Sequence, residues 1–392
     1  MAADNPFHHQ RYTSERPSAP YEVMTATPPP PVESVEFTAR LRAAGQLLRA
    51  AGVKAIYLVH GTFTGNDAWG IVRQIGRFAP QSTPWLKRMA KNAVDFATRD
   101  CGNYSQQCAE LLEQSMSENE TSRIPVRLFT WTGENHHLGR ADCAIRLIDE
   151  LQCRFAGSTA RVLLWGHSHA GNAFALMTCL LGSGGAPRHE FFRAAYSHFV
   201  RRYRPRDEVW WRVHKLLRAE GNPLSQLQID CVTFGTPIRY GWDTTICNEP
   251  LHYVYHRPAE SLPEYRAKFP PTVDEVMRAA GGDYIHQLGI ANTNFQPSLL
   301  DWRSWFANRR LARLLQAGIC PRDLHEHLRA GMRVAEQGKS VLVDYGNPDK
   351  AIHRHAAGHA IYTQLEWLLF HAEDVSQRLY GSANQGSQQI VR

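Results

Sequence analysis

Six short, almost unbroken apolar runs, separated by longer stretches of helical periodicity, constrain this chain more than any other feature. They cover 54–60 (KAIYLVH), 126–131 (VRLFTW), 161–165 (RVLLW), 229–234 (IDCVTF), 252–256 (HYVYH) and 340–343 (SVLV). Each is rich in β-branched or aromatic residues and ends in glycine, proline or a polar cluster, the composition of strands buried on both faces. Helical patterns fall at 35–51, 139–155, 171–181, 272–280, 299–316, 321–336 and 359–379. The alternation predicts an α/β fold, a mostly parallel sheet of about six strands with helices on both faces. With 392 residues, 43% hydrophobic and 21% charged, the chain can bury one large core and is not globally disordered.

The ends and two interior segments depart from this rhythm. Residues 1–34 are polar and contain four consecutive prolines, Pro28 to Pro31, which predicts a disordered or extended tail. Residues 381–392, rich in Gly, Ser, Gln and Asn, read as a second flexible tail, leaving a domain over 35–380. Residues 182–223 interleave aromatics with eight arginines. They are expected either as a lid touching anionic lipid surfaces or as amphipathic helices packed on the domain. Residues 258–335 read as a mostly helical insertion over the same edge of the sheet.

The run 161–165 leads straight into Gly166-His167-Ser168-His169-Ala170-Gly171, and a small-residue helix follows at once. A sharp strand-to-helix turn forces its central residue into a strained backbone conformation and lifts that side chain to the sheet edge. The helix N-terminus supplies free N–H groups to a developing oxyanion. The sequence departs from Gly-x-Ser-x-Gly in having Ala170 at the second glycine. The plainer reading is an ordinary strand-to-helix turn with a surface serine.

With this turn, the strand end Leu58-Val59-His60-Gly61-Thr62-Phe63 and the segment Val232-Thr233-Phe234-Gly235-Thr236-Pro237, the chain resembles the α/β-hydrolase family, in particular its lipase- and esterase-like serine hydrolases. The resemblance covers 53 to about 375. By the family's counting the six runs are strands three to eight, and the first two are missing. It implies Ser168 as nucleophile and the backbone N–H groups of Thr62 or Phe63 and of His169 as oxyanion donors. Asn66, Asp67 and Trp69 nearby read as loop and capping residues or as substrate contacts.

The base is expected to be histidine, the side chain that titrates near neutrality. The family places it after the last strand, where His353, His355 and His359 follow, and His359 in Gly358-His359-Ala360 fits best. A metal reading of the three histidines lacks a fourth ligand, so no metal is expected. For the acid, the family order favours Asp283, in Gly281-Gly282-Asp283; Asp344, at the end of the last run, competes, and Asp243 and Asp349 trail.

The expected activity is hydrolysis of a carboxylic ester, a small molecule or a lipid, through an acyl-enzyme and without a cofactor. An amidase, peptidase or thioesterase would use the same triad, and a hydrolase-shaped binding protein would use none of it. The charge of +7 and pI near 9.0 suit a peripheral contact with an anionic membrane surface. Nucleic acid is not expected, because no recognition motif accompanies the charge. The eight cysteines contain no CxxC pair and read as free thiols. With no secretory signal and no apolar stretch near 18 residues, a cytoplasmic protein is expected.

Overall fold

Strands buried on both faces must be covered by helices on both, and the chain supplies them in turn. The computed structural model describes residues 5–9, 16–32, 34–62, 102–117, 123–201, 204–219, 221–266, 268, 270–290, 294, 296–297, 301–315, 333–347 and 352–381, with only the backbone at 352 and 353. The central sheet has seven strands: β1 (Tyr21–Thr25), β2 (Val53–Val59), β3 (Val126–Phe129), β4 (Arg161–His167), β7 (Gln228–Phe234), β8 (Leu251–Tyr255) and β9 (Lys339–Asp344). Their order is β1-β9-β8-β7-β4-β2-β3, and every neighbouring pair is parallel. A two-residue hairpin, β5 (Val200–Arg201) and β6 (Arg204–Pro205), stands apart.

All six predicted runs are strands, within a few residues. The seventh, β1, falls inside the segment expected as a tail. It is short, largely exposed and pairs with one neighbour, Tyr21 opposite Ser340 through Thr25 opposite Asp344. A half-exposed edge strand lacks the apolar run that marks the buried ones. Ion pairs of Glu22 with Lys339 and Arg378 fasten it. Residues 5–9 are also built in: Phe7 is fully buried, and His8 forms a bridge with Tyr240. The tail expected over 1–34 is therefore corrected at these residues. Residues 382–392 lie outside the described residues.

One face of the sheet carries α3 (His137–Phe155), α4 (His169–Gly182), α5 (Gly185–Phe199), α6 (Glu208–Leu216) and α9 (Trp302–Leu315) around the larger core. The other carries α1 (Val35–Ala50), α2 (Gln106–Met116) and α11 (Leu365–Tyr380). Short helices α7 (Val273–Met277), α8 (Tyr284–Ile290) and α10 (Ile352–His355) sit in the connections. The single helix expected over 359–379 is broken. Ala357 and Gly358 have φ of 53° and 93°, so the chain turns sharply, and α11 starts only at Leu365. Most of the helix expected over 321–336 lies outside the described residues. No helix among the described residues is long and apolar enough to cross a membrane.

The excursion at 182–223 includes α5, α6 and the short strands β5 and β6, and most of its described aromatics face inward, with Tyr196 exposed and Trp211 half-buried. Phe191, Phe192, Phe199 and Trp210 are buried in the larger core. Of the two readings given to this segment, the packed one matches this burial.

The topology singles out one place. From β2 the chain crosses to β3 on one side, then returns to β4 on the other. Loops leaving the carboxyl ends of β2 and β4 thus diverge, and such a switch point is where open parallel sheets bind ligands. Gly61 follows β2 and Ser168 follows β4.

Candidate active site

Ser168 sits between the last residue of β4 and the first of α4 with φ 54° and ψ −133°. Such a backbone is costly for a residue with a Cβ, on the order of 1–3 kcal/mol, and persists only where the surroundings dictate it. Here they do. The Ser168 N–H donates to Phe234 O (2.8 Å), and its carbonyl accepts from Thr236 Oγ1 (2.6 Å). Small residues let the elements close around the turn. A Cβ on Gly166 would lie 2.5 Å from the Phe174 ring, and one on Gly171 would lie 2.3 Å from Thr236 Oγ1. Ala170, at the position of the motif's second glycine, is fully buried without such a clash.

Gly61 touches the nucleophile candidate itself. A Cβ there would come 2.7 Å from Ser168 Cβ and 3.3 Å from its Oγ. The neighbouring His60 accepts from the Trp131 N–H through Nε2 (3.3 Å), so its proton is on Nδ1, which donates to Gly61 O (2.8 Å). Pinning that carbonyl fixes the peptide plane, and the Thr62 N–H points the opposite way. Phe63, the alternative donor, lies outside the described residues, as do Asn66, Asp67, Trp69 and Asp349. His169 is the first residue of α4, where an N–H has no partner within the helix.

His359 lies between two single-turn 3-10 segments, Ala356–Gly358 and Ile361–Thr363. Its Nδ1 is 2.7 Å from Asp283 Oδ2. Two glycines bring these residues together: a Cβ on Gly358 would lie 2.3 Å from Gly282 O, and one on Gly282 2.3 Å from Tyr255 O. Asp283 also accepts from Tyr362 O–H (3.0 Å) and from the His286 N–H (2.8 Å). Burial alone pushes its carboxyl up. The positive charge that His359 carries when protonated and its hydrogen bond, with His286, outweigh that and hold it below the usual carboxylate range. An ionised Asp283 can only accept, so His359 carries its proton on Nδ1, and Nε2 presents a lone pair. That Nε2 has no hydrogen-bond partner among the described residues.

His167 ties His359 to the turn at Ser168. It precedes Ser168 in the chain, its ring centroid is 4.7 Å from that of His359, and its Nε2 is 2.9 Å from His359 O. Its Nδ1 faces a second carbonyl, Gly102 O, at 3.1 Å. Two carbonyls call for two ring protons, yet burial, with His359 beside it, lowers the His167 pKa to about 3. Burial decides: the ring is neutral and its single proton goes to the nearer carbonyl.

Burial first, then Arg140, Arg239, His359 and His137, hold His169 well below its ordinary pKa. Asn172 donates to its Nδ1 (3.1 Å), leaving the proton on Nε2. The same cationic surroundings favour negative charge developing beside the α4 N-terminus.

The other sequence candidates have different duties. Asp344 ends β9 half-buried, accepts from the Gly346 N–H (2.8 Å) and lies 3.8 Å from Arg257. It caps a turn and makes no recorded contact with His359. Asp243 caps a turn by accepting from the Thr245 N–H (3.0 Å). His355 Nδ1 accepts from the Gly358 N–H (3.2 Å), and the His353 side chain lies outside the described residues. Elsewhere, ligand atoms of Asp142, His198 and Asp207 gather within 4.8 Å of one another, but Arg146 bridges both carboxylates at 2.8 and 2.6 Å, and the Trp210 indole donates to Asp142 (2.7 Å). This is an ion-pair network joining α3 to α6. Cys143, Cys153, Cys179, Cys231 and Cys247 form no disulfide among the described residues.

Sequence reasoning missed His60, His167, Tyr362 and the two contact glycines as positioning residues. Their only signal was proximity along the chain to Gly61, Ser168, His359 and Asp283. The chain matches no family model, no curated protein and no solved structure.

Proposed function

We propose that this chain is a serine hydrolase acting on carboxylic esters, small-molecule or lipid, with Ser168 as nucleophile, His359 as base and Asp283 as acid. The observation that carries the reading is the 2.7 Å pair of His359 Nδ1 with a buried, ionised Asp283, linked to a serine held at φ 54° through the preceding His167, which bonds to His359 O. An unpaired Nε2 on a neutral imidazole is the atom required to accept the Ser168 Oγ proton. As Oγ bonds to the ester carbon, the carbonyl π electrons move to oxygen, which the Thr62 and His169 N–H groups stabilise. Collapse breaks the bond to the alcohol oxygen, which takes the proton from His359 Nε2. Water then repeats the sequence on the acyl-enzyme, with His359 again as base, and frees the acid. Asp283 orients the imidazole and stabilises its charged form; it does not itself take the proton.

A fluorophosphonate probe tests this on the folded chain. It should label wild type and leave Ser168→Ala unlabelled, and that variant should lose about 10⁴- to 10⁶-fold in ester turnover. Wild type with neither labelling nor ester turnover would sink the proposal. A panel of ester, thioester and amide substrates ranks the acyl class.

A further inference from the structure

A lipid-touching lid was one of two readings of 182–223; the structure buries Phe191, Phe192, Phe199 and Trp210 there and exposes other aromatics on α9. That helix buries Ser304, Ala307, Asn308, Leu311 and Leu315. Its opposite face presents Trp302 (55% exposed) and Phe306 (43%), then Arg309, Arg310 and Arg313, all exposed. The aromatics occupy the first turns and the arginines the last. Trp302 and the half-buried Trp305 pack edge to face on Phe306, with centroids 6.1 and 5.0 Å apart. Arg303 and Arg309 lie over the two indoles at 4.7 and 5.5 Å. None of these arginines has a carboxylate partner among the described residues.

A second observation adds concavity. An open cleft of about 500 Å³ separates α5 from α9, lined by Glu190, Arg193, Ala194, Arg310, Arg313 and Leu314. Its one carboxylate, Glu190, is paired with Arg193. Two unpaired guanidiniums thus face a space large enough for a phosphate headgroup. The face is rigid. Asn308 Oδ1 accepts from the Leu138 N–H (3.0 Å), and Ser197 Oγ donates to Arg303 O (3.0 Å), tying α9 to α3 and α5.

We propose that the Trp302–Arg313 face of α9, with its cleft against α5, docks on a bilayer surface rich in anionic phospholipid. Tryptophan and phenylalanine settle at the acyl–headgroup boundary, and arginines with apolar stems reach the phosphates. A second copy fits less well, since its α9 would bring three more arginines to the contact and no carboxylate to meet them. A nucleic acid strand needs free ring faces for stacking, and here guanidiniums cover the indole faces. The proposal does not rest on the esterase reading, and either can fail alone.

The test is co-sedimentation of the full chain with vesicles of phosphatidylcholine alone or mixed with phosphatidylglycerol. Binding should require phosphatidylglycerol and weaken as salt rises. Arg309→Glu/Arg310→Glu/Arg313→Glu should lower partitioning roughly 100-fold or more, from about 1 kcal/mol per arginine. Trp302→Ala/Phe306→Ala should lower it at least about 10-fold, with both variants melting like wild type. The proposal is overturned if wild type fails to bind the mixed vesicles, if both variants bind them normally, or if duplex DNA is retained while vesicles are not.

Discussion

The two excursions above the sheet have similar composition and opposite construction. Both are helical, aromatic and rich in arginine. In the one after α4, most aromatics of α5 and α6 phase inward, where Phe191, Phe199 and Trp210 are fully buried, and Tyr196 alone is left exposed among them. Of its arginines, Arg188 is buried against the carbonyls of Leu180 and Leu181, while Arg193 pairs with Glu190, Arg206 with Asp301 and Arg212 with Asp149. The one after β8 supplies the buried Asp283 and then, on α9, leaves aromatics and arginines exposed together. The first is a wall of the core. The second carries one member of the proposed triad and a face whose Trp302 and Phe306 stay exposed. What separates them is the phase of the aromatic stripe against the helix axis, which composition does not record.

That contrast can be broken most sharply at Asp283. Asp283→Asn should cut ester turnover by about 10⁴-fold, because the amide no longer selects the correct imidazole tautomer. Asp344→Asn, at the other candidate acid, should stay within about threefold of wild type. Equal losses in the two variants would mean that the second excursion does not supply the acid.

Next in size is the wall. Trp210→Ala removes a fully buried indole that also donates to Asp142, and should cost about 3–5 kcal/mol of stability in chemical denaturation. Turnover per folded molecule should be unchanged. A proportional loss of turnover would make the first excursion part of the site.

Acid should separate the two regions. His256 and His286, in the second excursion, have pKa values lowered to about 4, chiefly by burial. Both are neutral in the fold, while in the unfolded chain they take protons below about pH 6.5. Their stabilising contribution is therefore complete above that pH and is lost as pH falls toward 4, by at most about 1.4 kcal/mol per pH unit each. In the first excursion His214 is lowered too, but it is only half-buried. Hydrogen exchange should show α8 losing protection at higher pH than α5 and α6, and the reverse order would refute the assignment. The smallest effect belongs to the exposed face: Trp302→Ala/Phe306→Ala should shift stability by no more than about 0.5 kcal/mol.

Much of this was legible beforehand, for local reasons. β2, β4 and β7 announce themselves because both faces are buried, and the elbow because glycines and a serine must fall at fixed spacing between strand and helix. β1 was hidden because it is short, half-exposed and flanked by prolines, with a partner far away in sequence. The choice between Asp283 and Asp344 was not legible. It depends on Gly358 touching Gly282, a contact between distant loops. The turn at Ala357 was missed because alanine gives no warning of a positive φ.

β1 has one more consequence, for the order in which the molecule is made. Tyr21 leaves the ribosome about 300 residues ahead of its partner Ser340. At roughly 5–20 residues per second, the first strand waits some tens of seconds for the only edge it can join. Until β9 arrives, the sheet can assemble from β3 to β8 but cannot close. During that interval the β8 edge and the detached Tyr21–Thr25 segment are both open to strands of other molecules. The nascent chain is thus most vulnerable to mispairing just before its last strand emerges.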